Sequence, residues 1–179
     1  TATNHVTRTL SGAAITYDGK VVLNPGEPVV RQHVEAVVED LLGRYDVDGL
    51  HFDDYFYPYP VSGNPFPDDA TYAGYQADGG TLAKADWRRE NVNALVREVM
   101  GLVVTNHPQV RFGISPFGIW KSGVPTGISG LSSYSDISCD SVTWMNQGWV
   151  DYVAPQLYWP IGGAQDFIKL SNWWAQGTM

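Results

Sequence analysis

The sequence predicts an α/β fold of the (β/α) barrel type, and three observations carry that reading. Helix-spaced apolar segments run directly into short strand-like runs, the two longest connections follow strand ends, and each strand shows small or polar residues on one face. Ala14-Ile15-Thr16-Tyr17, Asp18-Gly19 and Lys20-Val21-Val22-Leu23 read as a hairpin, because Asp-Gly tolerates the positive dihedral angles of a tight turn. Pro28 stands where a first helical turn accepts proline. Behind it Val30, Val34, Val37, Val38, Leu41 and Leu42 recur at helical spacing over about four turns.

A strand is expected next, at about 47–52. Asp86 is the expected N-cap of a long helix whose apolar face is Val92, Leu95, Val96, Val99, Met100 and Val103, ending near His107-Pro108. Strands are expected again at about 110–115 and 151–157, and a last helix at about 164–174. The connections 54–85 and 116–141 are expected to be structureless, and compact domains keep loops of that length for function.

Composition bounds the partners. At 179 residues, with 44% hydrophobic content, the chain is sized for one globular domain. Its 11 basic against 19 acidic residues give a net charge of -8, which repels phosphate backbones and anionic lipid and argues against nucleic acid. Seven Trp and ten Tyr suit a site that stacks on the flat apolar faces of a ligand, and sugars have such faces. Cys139 is alone, so no intrachain disulfide forms and the redox compartment stays open. No apolar run reaches the roughly 18 residues of a membrane span. No charged-then-apolar leader opens the chain, and a start at Thr1 suggests a piece of something longer.

The densest chemical signal is the strand end Gly49-Leu50-His51-Phe52-Asp53-Asp54-Tyr55-Phe56-Tyr57, where a buried-looking run meets two adjacent carboxylates. Burying unpaired charge is costly, so these carboxylates belong at a strand mouth. Alternation puts Gly49, His51 and Asp53 on one face, with Gly113 and Ser115, and then Ala154, Gln156 and Tyr158, on the matching faces of the later strands. Asp53 is the leading catalytic candidate. Asp54 points to the opposite side of a regular strand, and functional and structural readings of it stand level. His51 either supports the Asp53 carboxylate by a hydrogen bond or is an ordinary core histidine. A glycosidase needs a second carboxyl, and no Glu follows Glu98, which leaves aspartates: Asp140 first, then Asp136. Either could equally satisfy loop backbone donors. Asp151 reads as a strand start and Asp166 as a helix start. Tyr55, Tyr57, Trp120, Lys121, Gln156, Tyr158 and Trp159 follow strand ends and together would line a binding cleft. No cofactor is expected, and a metal site at His51, Asp53 and Asp54 is disfavoured because consecutive strand residues diverge.

The segments 48–58 and 112–120 (Phe112-Gly113-Ile114-Ser115-Pro116-Phe117-Gly118-Ile119-Trp120), with 151–159, resemble the bacterial glycosyl hydrolase-like family 10. Leu23-Asn24-Pro25-Gly26 and Trp87-Arg88-Arg89-Glu90-Asn91-Val92 add to the resemblance, which covers nearly the whole chain. It implies a (β/α)8 barrel, extracellular or cell-envelope location, and action on glycans, with at least one member acting on peptidoglycan strands. The block ending at Asp53 also resembles, more loosely, the fourth-strand signature of amylase-like barrels, where the matching aspartate is the nucleophile; the fifth-strand Glu of those enzymes has no counterpart here. Judged against the family, the chain holds about strands four to six. Such a partial barrel would have two raw sheet edges and would need a missing segment or self-association to cover them. The leading expectation is thus a glycoside hydrolase acting on an oligo- or polysaccharide. A non-catalytic carbohydrate-binding barrel and a metal-dependent hydrolase are the alternatives.

Overall fold

The computed structural model describes residues 5–10, 12–54 and 56–176, and a parallel three-stranded sheet backed by two long helices organises it. A short helix, α1 (Val6–Thr9), precedes the hairpin of β1 (Ala14–Tyr17) and β2 (Lys20–Leu23). Asp18 and Gly19 both take positive φ, 49° and 70°, as the tight Asp-Gly turn requires. Helix α2 (Pro28–Arg44) starts on its proline and buries Val30, Val38 and Leu42. Val37 and Leu41, expected on the apolar face, are instead exposed, because the buried stripe is narrower than the run of valines.

Strand β3 (Gly49–Phe52) pairs in parallel with β4 (Arg111–Ile114), placing Leu50 beside Phe112 and His51 beside Gly113. On the far side of β4 lies β5 (Tyr152–Val153), and a single bridge between Phe117 and Gln156 prolongs that pairing. The strand expected to 157 is cut short at Pro155, which has no N–H to donate to a ladder. One face of the sheet is dry: Leu50, Phe112 and Ile114 pack on Val92, Val96, Val99 and Val103 of α4 (Lys84–Asn106). Fully burying an apolar side chain of this size contributes about 1.5–3 kcal/mol, so this layer dominates the core. The other face carries His51, Tyr152 and Ala154 open to solvent.

The connections 54–85 and 116–141 are not structureless. The first contains α3 (Asp69–Ala77) and the second a short turn, α5 (Ser133–Asp136). Helix α4 also begins earlier than expected: Ala83 is its N-cap, and Asp86 sits inside the first turn, paired with Arg89. The early start follows from Lys84, which is drawn to Asp68 at 2.8 Å and Asp69 at 2.5 Å. After α6 (Ser141–Asn146) the last helix, α7 (Phe167–Trp174), starts at its N-cap Asp166, whose side chain accepts a hydrogen bond from the Lys169 N–H at 2.7 Å. Altogether this is a mixed α/β architecture compatible with part of a barrel. Among the described residues no helix is long and apolar enough to cross a membrane.

Candidate active site

The residues that alternate onto the open face of the sheet form a connected polar row. His51 lies between Ser115 and Tyr152, with Nε2 2.7 Å from Ser115 Oγ and Nδ1 3.0 Å from the Tyr152 hydroxyl. The His51 and Tyr152 rings also stack, 5.7 Å apart at 22°. At the carboxyl end of β3, Asp53 Oδ1 accepts two hydrogen bonds, from Gln156 Nε2 at 2.7 Å and from the Asp54 N–H at 3.0 Å. No other described group bonds to the carboxylate, which is exposed. The strand pairing brings residues 51, 53, 115, 152 and 156 together from three strands, which is how a barrel assembles a site at its strand ends.

His51 therefore does not bond Asp53, as one expectation had it; the Gln156 amide from β5's continuation takes that place. Asp54 turns away from the mouth and is 1% exposed, its Oδ2 accepting a hydrogen bond from the Tyr59 hydroxyl at 2.5 Å while Oδ1 has no hydrogen-bond partner among the described residues. That burial removes it from direct contact with a glycan. Tyr57 is likewise a correction: at 3% exposure it packs between Phe66 and the Arg88 guanidinium, with Asn91 Nδ2 3.4 Å from its hydroxyl. Burial pushes its phenol well above the usual tyrosine range.

Asp140 caps α6, accepting hydrogen bonds from Thr143 N at 3.5 Å, Thr143 Oγ1 at 2.7 Å and Trp120 Nε1 at 3.1 Å. Asp136 serves its own loop, accepting from the Ser132 N–H and the Ser135 hydroxyl. Trp120 stacks on Trp173 and carries the Lys121 ammonium 4.0 Å above its ring, with the same ammonium 3.7 Å from the centroid of Tyr134. Tyr158 is 84% exposed and open to a ligand, whereas Trp159 is half-buried with its ring edge against Phe117. Tyr55 lies outside the described residues. The sequence reading placed Ser115 on the open face without giving it a role, and missed Tyr152 as a member of the site. Counting back by twos from Gln156 and Ala154 would have placed Tyr152 on the open face.

Among the described residues no three His, Cys, Asp or Glu side chains come together to hold a metal ion. A cavity of about 800 Å³ lies elsewhere, where Glu27, Arg31, Tyr75 and Trp87 meet between α2, α3 and α4. The polar row is an open sheet face.

The model of one family, glycosyl hydrolase-like 10, matches residues 1–179. The chain belongs to that family. Among its relatives, glycosyl hydrolase YngK of Bacillus subtilis (strain 168) is 40% identical over 165 residues, covering 89% of this chain and 32% of that protein. Glycosyl hydrolase DigH of Escherichia coli (strain K12) is 40% identical over 166 residues, covering 89% of this chain and 37% of that protein. This glycosyl hydrolase-like 10 chain thus spans about a third of the length of the curated relatives it matches.

Proposed function

We propose that this chain is part of a glycoside hydrolase that cleaves a bacterial or environmental polysaccharide by carboxylate catalysis, with peptidoglycan glycan strands as the first substrate to test. One observation carries the reading: Asp53 is an exposed carboxylate at the carboxyl end of a parallel strand, with one oxygen held by two donors and the other open. Such an oxygen can attack an anomeric carbon or take a proton from water. The family membership and the names of the relatives support a glycosidase-type activity. The same membership is the ground for reading the sheet as about strands four to six of a (β/α)8 barrel and for an extracellular or envelope location.

A second carboxyl completes either mechanism. Asp140 is the candidate within these residues, and asparagine separates its two possible roles. Asparagine still caps a helix but cannot donate a proton as an acid. Asp140→Asn therefore abolishes turnover if Asp140 is the acid and spares most of it if Asp140 only caps α6 and holds Trp120.

The test is hydrolysis of denuded peptidoglycan strands and a panel of α- and β-glucans by the full-length protein, wild type beside Asp53→Asn. Turnover falls at least about 100-fold in the variant while glycan binding persists. Full activity in Asp53→Asn would remove the assignment. Saturable binding without turnover by the wild type would support the carbohydrate-binding barrel instead, a reading favoured by the commitment of Asp140 to a cap.

A further inference from the structure

We infer that Gln156, seated against Gly118, is a positioning residue that leaves Asp53 a single reactive oxygen. The inference rests on the proposed role of Asp53 and reassigns Gln156, which by its place after a strand would otherwise be read as a sugar-binding group. Its Nε2 donates to Asp53 Oδ1 at 2.7 Å and to the Ser115 carbonyl at 3.0 Å. Both partners are acceptors, so the amide orientation is set by chemistry: only the NH2 side can face them, and both of its hydrogens are used. Nothing on that nitrogen remains for a ligand.

The consequence falls on Asp53. A free carboxylate has two equivalent oxygens and rotates about χ2, whereas here Oδ1 accepts from Gln156 and from the Asp54 N–H, leaving Oδ2 as the open one. A nucleophile or base works when its reacting atom is already aligned, and a misplacement of about 1 Å can cost about 100-fold in rate.

Gln156 is itself located by the backbone. Its N–H donates to the Pro116 carbonyl at 3.0 Å, and it bridges in parallel to Phe117. This close approach requires a glycine at 118. A Cβ there would collide with the Gln156 carbonyl oxygen, and would stand 2.8 Å from the Trp159 ring and 2.9 Å from Leu157. Gly118, Gln156 and Asp53 thus form one mechanical chain from the β4 loop to the carboxylate.

The experiment compares the full-length wild type with Gln156→Leu, Gln156→Asn and Asp53→Asn on denuded peptidoglycan strands and the same glucan panel, measuring kcat and KM separately, with crystal structures of the wild type and Gln156→Leu. Leucine keeps the bulk and loses the donor; asparagine keeps the donor and is one methylene too short. Both are expected to lower kcat about 10- to 100-fold with KM within about twofold, the signature of lost alignment rather than lost substrate binding. The Asp53 carboxylate is expected to rotate in the leucine variant. An inactive Asp53→Asn beside a Gln156→Leu of wild-type kcat would overturn the inference and leave the Asp53 assignment standing. A rise in KM alone would return Gln156 to sugar binding. If the wild type cleaves none of these glycans, the Asp53 assignment fails, and an Asp53 carboxylate unmoved in Gln156→Leu crystals overturns the clamp independently.

Discussion

Replacing Asp68 with alanine is expected to be among the most damaging single changes outside the apolar core. The Asp68 carboxylate is fully buried and accepts a bidentate pair from Arg88, at 2.8 Å and 2.6 Å, plus the Lys84 ammonium at 2.8 Å. Burial alone would push its carboxyl up, but the hydrogen bonds and charges of Arg88 and Lys84 outweigh that and hold it below the usual carboxylate range. Removing one partner of a buried pair costs about 3–5 kcal/mol. Lys84 retains Asp69 as a partner, and the Arg88 side chain keeps 25% exposure, so the lower end applies, about 3 kcal/mol. For a chain of this size that is a fall in Tm of roughly 6–12 °C. The damage should be local before it is global. Arg88 also donates to the Phe66 carbonyl and lies over the Tyr57 ring, so it pins the connection that runs from Asp53 to α4. Urea denaturation of the full-length protein, with limited proteolysis across residues 57–83, measures both effects. A linkage sign follows as well. Because the folded carboxyl is depressed, its stabilisation is present above the unfolded value of about 3.9 and is lost as pH falls through the folded one. Asp68→Asn should therefore flatten the acid limb of stability against pH. A loss below about 1 kcal/mol, the ceiling for an exposed ion pair, or an unchanged acid limb, would refute the reasoning.

Other outcomes are expected elsewhere. Gly113→Ala puts a methyl group where the Tyr152 ring lies, so it should part Tyr152 from His51 and cost about 1–3 kcal/mol by overpacking; a crystal structure with that hydrogen bond intact would contradict this. Trp144→Phe keeps the ring against Phe56 but strips the 2.7 Å hydrogen bond from Asn93 Oδ1, a buried acceptor, costing about 1–3 kcal/mol in chemical denaturation. Burial, with the nearby charges of Asp54 and Asp140, pushes the Cys139 thiol far up, so iodoacetamide at pH 8 should label it only after unfolding. Rapid labelling of the native protein would show that the pocket around it opens.

The Asp18-Gly19 hairpin, the proline-led α2, the valine face of α4 and the order of the three parallel strands were all legible in the sequence. Each depends on neighbours a few residues apart: a turn dipeptide, a helical period, a two-residue alternation. The alternation even placed Asp53 and Gln156 on one face, though they lie far apart in the chain. Legibility failed where distant charge decided local structure. Lys84 begins α4 because Asp68 and Asp69 reach it, and Asp68 in turn fixes a long connection that was expected to be structureless. Tyr57 failed for a related reason: its place after a strand suggested a cleft, but Phe66 and Arg88 close over it.

By itself the sequence determined the α/β class, the family and the strand end that carries Asp53, because periodicity, turn chemistry and long ordered motifs are local or cumulative along the chain. Only the tertiary structure decided which groups work together: that Gln156 rather than His51 holds Asp53, that Asp54 is buried under Tyr59, and that Asp140 caps a helix. Hydrogen-bond partners are chosen by distances of about 3 Å between residues as far as 103 positions apart, and a linear pattern contains no such distance until the chain is folded.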